Sequence, residues 1–126
     1  MRLSNAEWQL MNALWSDHPA TARELAERLP DDVNWAYTTI KTMLARLEKK
    51  NAVKATMRGN TSVYEPLIAR DEARRSALRN LIDQAFGGGL EPLLAFLARD
   101  SKLSARERRE LEQILADEDR KRRESS

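Results

Sequence analysis

The hydrophobic period of this chain changes at Lys50-Asn51, from helical spacing to alternation, and changes back after Pro66. Everything before the change reads as short helices. Ser4 and Glu7 form an S-x-x-E capping box, with Leu3 and Trp8 placed as a hydrophobic staple, and Leu10, Met11, Leu14 and Trp15 continue one apolar face to about Ser16. Thr21 and Glu24 form a second box, opening a helix with Leu25, Ala26 and Leu29 that Pro30 stops. A third helix is expected from about Trp35 or Ala36 to Lys50, with Ile40, Met43, Leu44 and Leu47 as its buried stripe. Val53, Ala55 and Met57 then alternate with Lys54, Thr56 and Arg58, and a Gly59-Asn60 tip leads into a second β-prone stretch, Thr61 to Glu65.

The rest of the chain is helical in pattern. A fourth helix is expected over about Asp71 to Phe86, broken by Gly87-Gly88-Gly89, and a fifth over about Leu90 to Arg99. Ser104 and Glu107 form a third capping box, opening a helix with Leu111, Ile114 and Leu115; the charged stretch from Asp117 to Ser126 is expected to fray. With 126 residues the chain makes one domain, or two small ones. It has no Cys and a single His, His18, which removes disulfide, Cys-zinc and iron–sulfur chemistry and disfavours a Ser-His-Asp enzyme. No apolar run approaches the roughly 20 residues needed to cross a bilayer, and no secretory signal core is visible, so a cytoplasmic protein without direct membrane association is expected. No motif calls for a cofactor or metal. Asp31-Asp32 and Asp117-Glu118-Asp119 read as turn and tail charges rather than catalytic groups.

The net charge of +2 hides a local pattern. Between Lys41 and Arg58 there are six cations (Lys41, Arg46, Lys49, Lys50, Lys54, Arg58) and one anion, Glu48, whereas residues 71–126 carry 12 cations and 12 anions. Three helices and a hairpin, with the third helix and the hairpin basic, is the layout of a winged helix-turn-helix, whose third helix enters a DNA major groove while the wing reaches a neighbouring phosphate or the minor groove. The fold expected is therefore mainly α with a small β-hairpin wing: a DNA-binding domain over 1–70 and a helical dimerisation domain with a charged tail over 71–126. Thr38, Thr39 and Thr42 suit phosphates or thymine methyls, and Lys41 and Arg46 suit phosphates or guanine edges. Arg58 and Asn60 sit at the wing. The competing reading of the cationic strip is a solvated helix face. The apolar residues Leu78, Leu81, Ile82, Phe86, Leu93, Leu94, Phe96, Leu97, Leu111, Ile114 and Leu115 exceed what three short helices bury alone, so a homodimer through this half is expected; the alternative is that these helices fold back on their own chain.

The stretches Leu3 to Trp15, Trp35 with Thr39 to Lys50, Tyr64-Glu65-Pro66-Leu67, Phe86-Gly87-Gly88 and Lys102-Leu103-Ser104 resemble landmarks of the BlaI/MecI penicillinase-repressor family over about residues 3–116. The resemblance implies a homodimeric repressor that binds palindromic operators with TACA/TGTA-type half-sites in double-stranded DNA and silences β-lactamase or other stress genes. It implies relief by a membrane sensor metalloprotease that cuts the repressor in its dimerisation region. Carried over by position, Thr38, Thr39, Lys41, Thr42 and Arg46 match the family's DNA-contacting stretch. Where relatives often have Ser-Pro-Lys, this chain has Ala36-Tyr37-Thr38, which leaves Asn34 as an alternative N-cap and Tyr37 either on DNA or packed. Where cleaved relatives have an Asn-Phe bond, this chain has Ala95-Phe96, the candidate cleavage site; the spacing of Phe96 with Leu93 and Leu97 favours reading it as a dimer-core aromatic instead. The Cys-x-Cys pair of the family's copper-responsive branch is absent, which excludes that thiolate chemistry. Two other readings remain: a winged-helix protein-interaction module without a DNA role, and a repressor of a non-antibiotic operon released by a different mechanism.

Overall fold

The structure, a computed structural model, describes residues 2–100 and 104–125. Its elements run α1 (Asn5–Ser16), β1 (Ala20–Thr21), α2 (Ala22–Arg28), α3 (Tyr37–Lys49), β2 (Val53–Arg58), β3 (Thr61–Pro66), α4 (Arg70–Ala85), α5 (Leu90–Arg99) and α6 (Ala105–Ser125). The chain divides into two compact units, Met1–Asn80 and Leu81–Ser126.

In the first unit, local chemistry sets the ends of the helices. Ser4 Oγ accepts from the Glu7 amide at 3.1 Å while the Ser4 amide donates to Glu7 Oε1 at 2.8 Å. Thr21 and Glu24 repeat the exchange at 3.1 and 2.9 Å. Two first-turn amides that a helix cannot pair internally are thus satisfied at each start. At the end of α3, Asn51 takes a left-handed φ of 63°. The Ala52 amide reaches back to the Leu47 carbonyl at 2.9 Å and the Asn51 amide to Glu48 at 3.0 Å. This is a Schellman ending, with Leu47 and Ala52 both fully buried. It turns the chain from helix into strand at the position where the period changes.

The core of this unit joins Leu10, Met11 and Leu14 of α1, Leu25 of α2, Ile40, Leu44 and Leu47 of α3, and Val53 of β2. Gly59 carries the positive φ, 61°, that a two-residue hairpin turn asks of its first residue. The hairpin pairs Arg58 with Thr61 and Val53 with Pro66. One strand was not expected. Ala20 and Thr21 pair antiparallel with Tyr64 and Val63, giving the sheet order β1-β3-β2. The Trp15 indole N–H donates to the Ile68 carbonyl at 2.9 Å, fastening α1 to the segment that leaves the sheet.

In the second unit, the Gly88 amide bonds to the Ile82 carbonyl at 3.0 Å, and Gly87 and Gly88 have φ of 63° and 84°. The glycine run therefore ends α4 through a backbone that L side chains resist. The third capping box forms, with Glu107 N to Ser104 Oγ at 3.1 Å and Ser104 N to Glu107 Oε1 at 3.2 Å. Instead of fraying at Asp117, α6 continues through Ser125. Its charges pair along the helix, Arg120 with Asp117 at 2.6 Å and Arg123 with Asp119 at 3.2 Å, so they support the helix locally. Lys102 and Leu103 lie outside the described residues. Among the described residues, no helix is long and apolar enough to cross a membrane.

Candidate nucleic-acid interface

The buried stripe of α3 decides what its other side presents. With Ile40, Met43, Leu44 and Leu47 turned into the core, Tyr37, Thr38, Thr39, Lys41, Thr42, Ala45, Arg46 and Lys49 are exposed. The helix opens on Ala36, and no side chain caps it, so Asn34 is not its N-cap. The ladder begins at the Ile40 amide, bonded to Ala36 O at 3.1 Å, and no acidic residue occupies the first turn. The start of α3 therefore keeps its uncapped amides and positive dipole end without a carboxylate to neutralise them.

Two concavities flank this face. Thr38, Thr39, Thr42, Met43 and Arg46 line a shallow one along α3. Within it the Thr42 hydroxyl donates to the Thr38 carbonyl at 2.9 Å, so Thr42 presents its methyl group and an acceptor lone pair rather than a free proton. The other is a cleft of about 420 Å³ between the start of α2, the first turns of α3 and the wing, lined among others by Arg23, Tyr37, Lys41, Asn60 and Ser62. No acidic side chain lines it. Tyr64 is buried at its edge; burial, then the charge of Glu48, hold its phenol above the usual range, so it is neutral at ordinary pH.

The expected DNA-contacting residues thus fall into two groups: Thr38, Thr39, Thr42 and Arg46 in the first concavity, and Tyr37, Lys41 and Asn60 in the second. Arg58 stands exposed on the wing outside both. Among the described residues, Lys41, Arg46 and Arg58 form no salt bridge.

One member of the cationic strip is spent elsewhere. Lys50 Nζ lies 2.7 Å from Glu7 Oε1 and 2.9 Å from the Arg2 carbonyl, so its charge is committed to α1. Arg23 takes part in the site although the sequence reading passed over it. Its guanidinium lies 5.7 Å from the centre of the Tyr37 ring. A cation in the first turn of a helix opposes the dipole there, and that mismatch was the available signal.

Sequence similarity to known proteins extends over nearly the whole chain. The family model described as penicillinase repressor matches residues 3–117. The chain belongs to the penicillinase repressor family. A penicillinase repressor of Staphylococcus aureus is 27% identical over 117 residues, covering 93% of this chain and 93% of that protein. One from Bacillus licheniformis is 29% identical over 114 residues, covering 90% of this chain and 89% of the relative. The solution structure of the Bacillus licheniformis BlaI monomer with the blaP half-operator aligns with a TM-score of 0.49 at 32% identity, over 57% of this chain and 88% of that one. The family is one of DNA-binding transcriptional repressors, not enzymes, and this chain is a member of it.

In this member of the family the residues expected to dimerise are mostly open to solvent: Leu78, Leu81, Leu94, Phe96, Leu111, Ile114 and Leu115 are exposed, Phe86, Leu93 and Leu97 are half-buried, and Ile82 is buried. Ala95 and Phe96 lie inside α5, and the Phe96 ring packs at 5.9 Å from Phe86 in a tilted pair.

Proposed function

We propose that the chain is a homodimeric repressor that holds palindromic operator DNA with two copies of the α3 face and wing. The observation that carries this reading is the exposed face of α3, where Thr38, Thr39, Lys41, Thr42 and Arg46 stand without an acidic partner. Its start bears uncapped amides and its flank is a cleft without a carboxylate. Hydroxyls and cations at this spacing suit phosphate oxygens and base edges together. Arg58 and Asn60 on the wing extend the contact beyond the groove that receives α3. In this reading residues 1–70 bind DNA and residues 71–126 dimerise.

Dimerisation is supported by the apolar side chains that α4 to α6 leave in solvent. Leu94, Phe96, Ile114 and Leu115 are each about half exposed, at 47%, 54%, 59% and 55%. Such a surface is a recurrent mark of association. The genes silenced are β-lactamase or related stress-response genes, in keeping with relatives named penicillinase repressor and methicillin resistance regulatory protein. Release follows cleavage at Ala95-Phe96 by a membrane sensor metalloprotease. The bond lies within a helix, so α5 must unwind locally before a protease accepts it. Its cleavage would cut the apolar surface in two.

The test is duplex binding as a function of salt. Wild-type protein is expected to lose affinity linearly on a logarithmic plot, and Lys41→Ala to lower the slope by about one. Wild-type protein that fails to bind duplex DNA at low salt overturns the reading. For release, mass spectrometry after incubation with the cognate sensor is expected to show a cut after Ala95, and an intact chain overturns that route.

A further inference from the structure

The cleft beside α3 holds a feature that the general picture of a helix in a groove does not require. Tyr37 is 46% exposed, and two cations from different helices lie near its ring. Arg23, from α2, lies 5.7 Å from the ring centre, and Lys41 Nζ, one turn further along α3, lies 6.0 Å from it. An aromatic face attracts a cation without neutralising its charge, so both cations stay available to an anion. Among the described residues neither cation has a salt-bridge partner, and no carboxylate lines the cleft. The wing closes the far side with Asn60 and Ser62, both neutral hydrogen-bonding groups.

We propose that Arg23, Tyr37 and Lys41 form a clamp for a single phosphodiester of the DNA backbone, with the Tyr37 ring as the positioning element and Arg23 as a phosphate ligand contributed by α2. This rests on the reading of the α3 face as a DNA interface. A guanidinium and an ammonium that line one cleft can satisfy a phosphate from two directions. The contact fixes the depth and angle of α3 on the duplex and carries no base information. Because the ring and not its hydroxyl does the positioning, Tyr37→Phe keeps the clamp and Tyr37→Leu dismantles it.

The experiment measures binding of the full chain to a random-sequence duplex over a range of salt concentrations. Arg23→Ala and Lys41→Ala are each expected to lower the slope of log affinity against log salt by about one, and the double variant to lower it by the same single contact. Tyr37→Phe is expected to retain wild-type affinity and slope, while Tyr37→Leu behaves like Arg23→Ala. Arg23→Gln, which keeps the length of the stem, repeats the measurement should the alanine variant fold poorly. Wild-type binding together with an unchanged slope in both Arg23 variants overturns the clamp and leaves the DNA interface standing. Absence of wild-type binding overturns the interface itself. Saturable binding of inorganic phosphate that Arg23→Ala abolishes, with duplex binding unaffected, makes the cleft a small-anion site and also overturns the proposal.

Discussion

Lys50 Nζ meets Glu7 Oε1 at 2.7 Å, joining the end of α3 to the first turn of α1 across 43 residues of sequence. The Glu7 side chain is almost wholly buried, and the same oxygen accepts the Ser4 amide at 2.8 Å. One carboxylate thus caps α1 and anchors α3. Its other oxygen, Oε2, is buried without a hydrogen-bond partner among the described residues. The arrangement depends on Lys50, since a lone buried carboxylate is costly.

Lys50→Ala is therefore expected to reduce stability by about 2 kcal/mol, below the range for fully buried pairs because the lysine side chain is partly in solvent. The same substitution is expected to leave the salt slope of DNA binding unchanged, unlike Lys41→Ala. Denaturant titration and duplex binding on one preparation check both halves. A salt slope reduced as far as in Lys41→Ala shows that Lys50 serves DNA after all.

The pH dependence of stability follows from Glu7. Burial pushes its pKa up, but hydrogen bonds from Lys50 and Ser4 and the charge of Lys50 outweigh it and hold the group below its usual 4.5. A carboxylate with a depressed folded pKa stabilises the fold above its unfolded value, and that contribution disappears as pH falls through the folded value. Glu7→Gln is expected to be less stable than wild type near neutral pH, with the gap closing below pH 4.5. Urea midpoints at several pH values measure it; a gap that persists unchanged into acid means the charge of Glu7 contributes nothing.

Asn51 bears the left-handed residue that turns α3 into the wing, with φ of 63°. A β-branched side chain resists this conformation by about 1–2 kcal/mol. Asn51→Val should lower the melting temperature, and Asn51→Gly should not. Equal melting behaviour in the two variants removes the backbone argument for this turn.

The apolar surface of the second unit is tested at Ile114, which is 59% exposed. A carboxylate buried in a dimer interface is unfavourable, so Ile114→Asp is expected to shift the sedimentation profile from dimer toward monomer while the helical circular dichroism is kept. Wild-type protein that sediments as a monomer at all concentrations refutes the dimer.

The sequence was most legible where partners are close along the chain. The three capping boxes pair Ser4 with Glu7, Thr21 with Glu24 and Ser104 with Glu107, and all three form. The buried face of α3 and the Gly59 turn were readable for the same reason: periodicity and turn chemistry are local. What escaped depends on distant partners. Two residues, Ala20 and Thr21, are too few to show alternation, and they become a strand only beside Val63 and Tyr64. Lys50 looked like part of a DNA-binding strip until Glu7 stood against it. Arg23 was hidden inside a capping box, and its place in the site appears only once Tyr37 is beside it. The helix past Asp117 escaped for another reason: charge density alone suggested fraying, whereas the spacing of Asp117 with Arg120 and Asp119 with Arg123 supports a helix.

The central claim is that α3 and the wing form the DNA-binding face, and amide shift mapping of isotope-labelled full chain on addition of random-sequence duplex at low salt tests it most directly. The account predicts that the amides of Thr38, Thr39, Thr42 and Arg46 on α3 and of Gly59 and Asn60 on the wing shift most, with those of α1 and α6 little affected. Shifts concentrated on α1 or α6, with α3 and the wing unperturbed, contradict it.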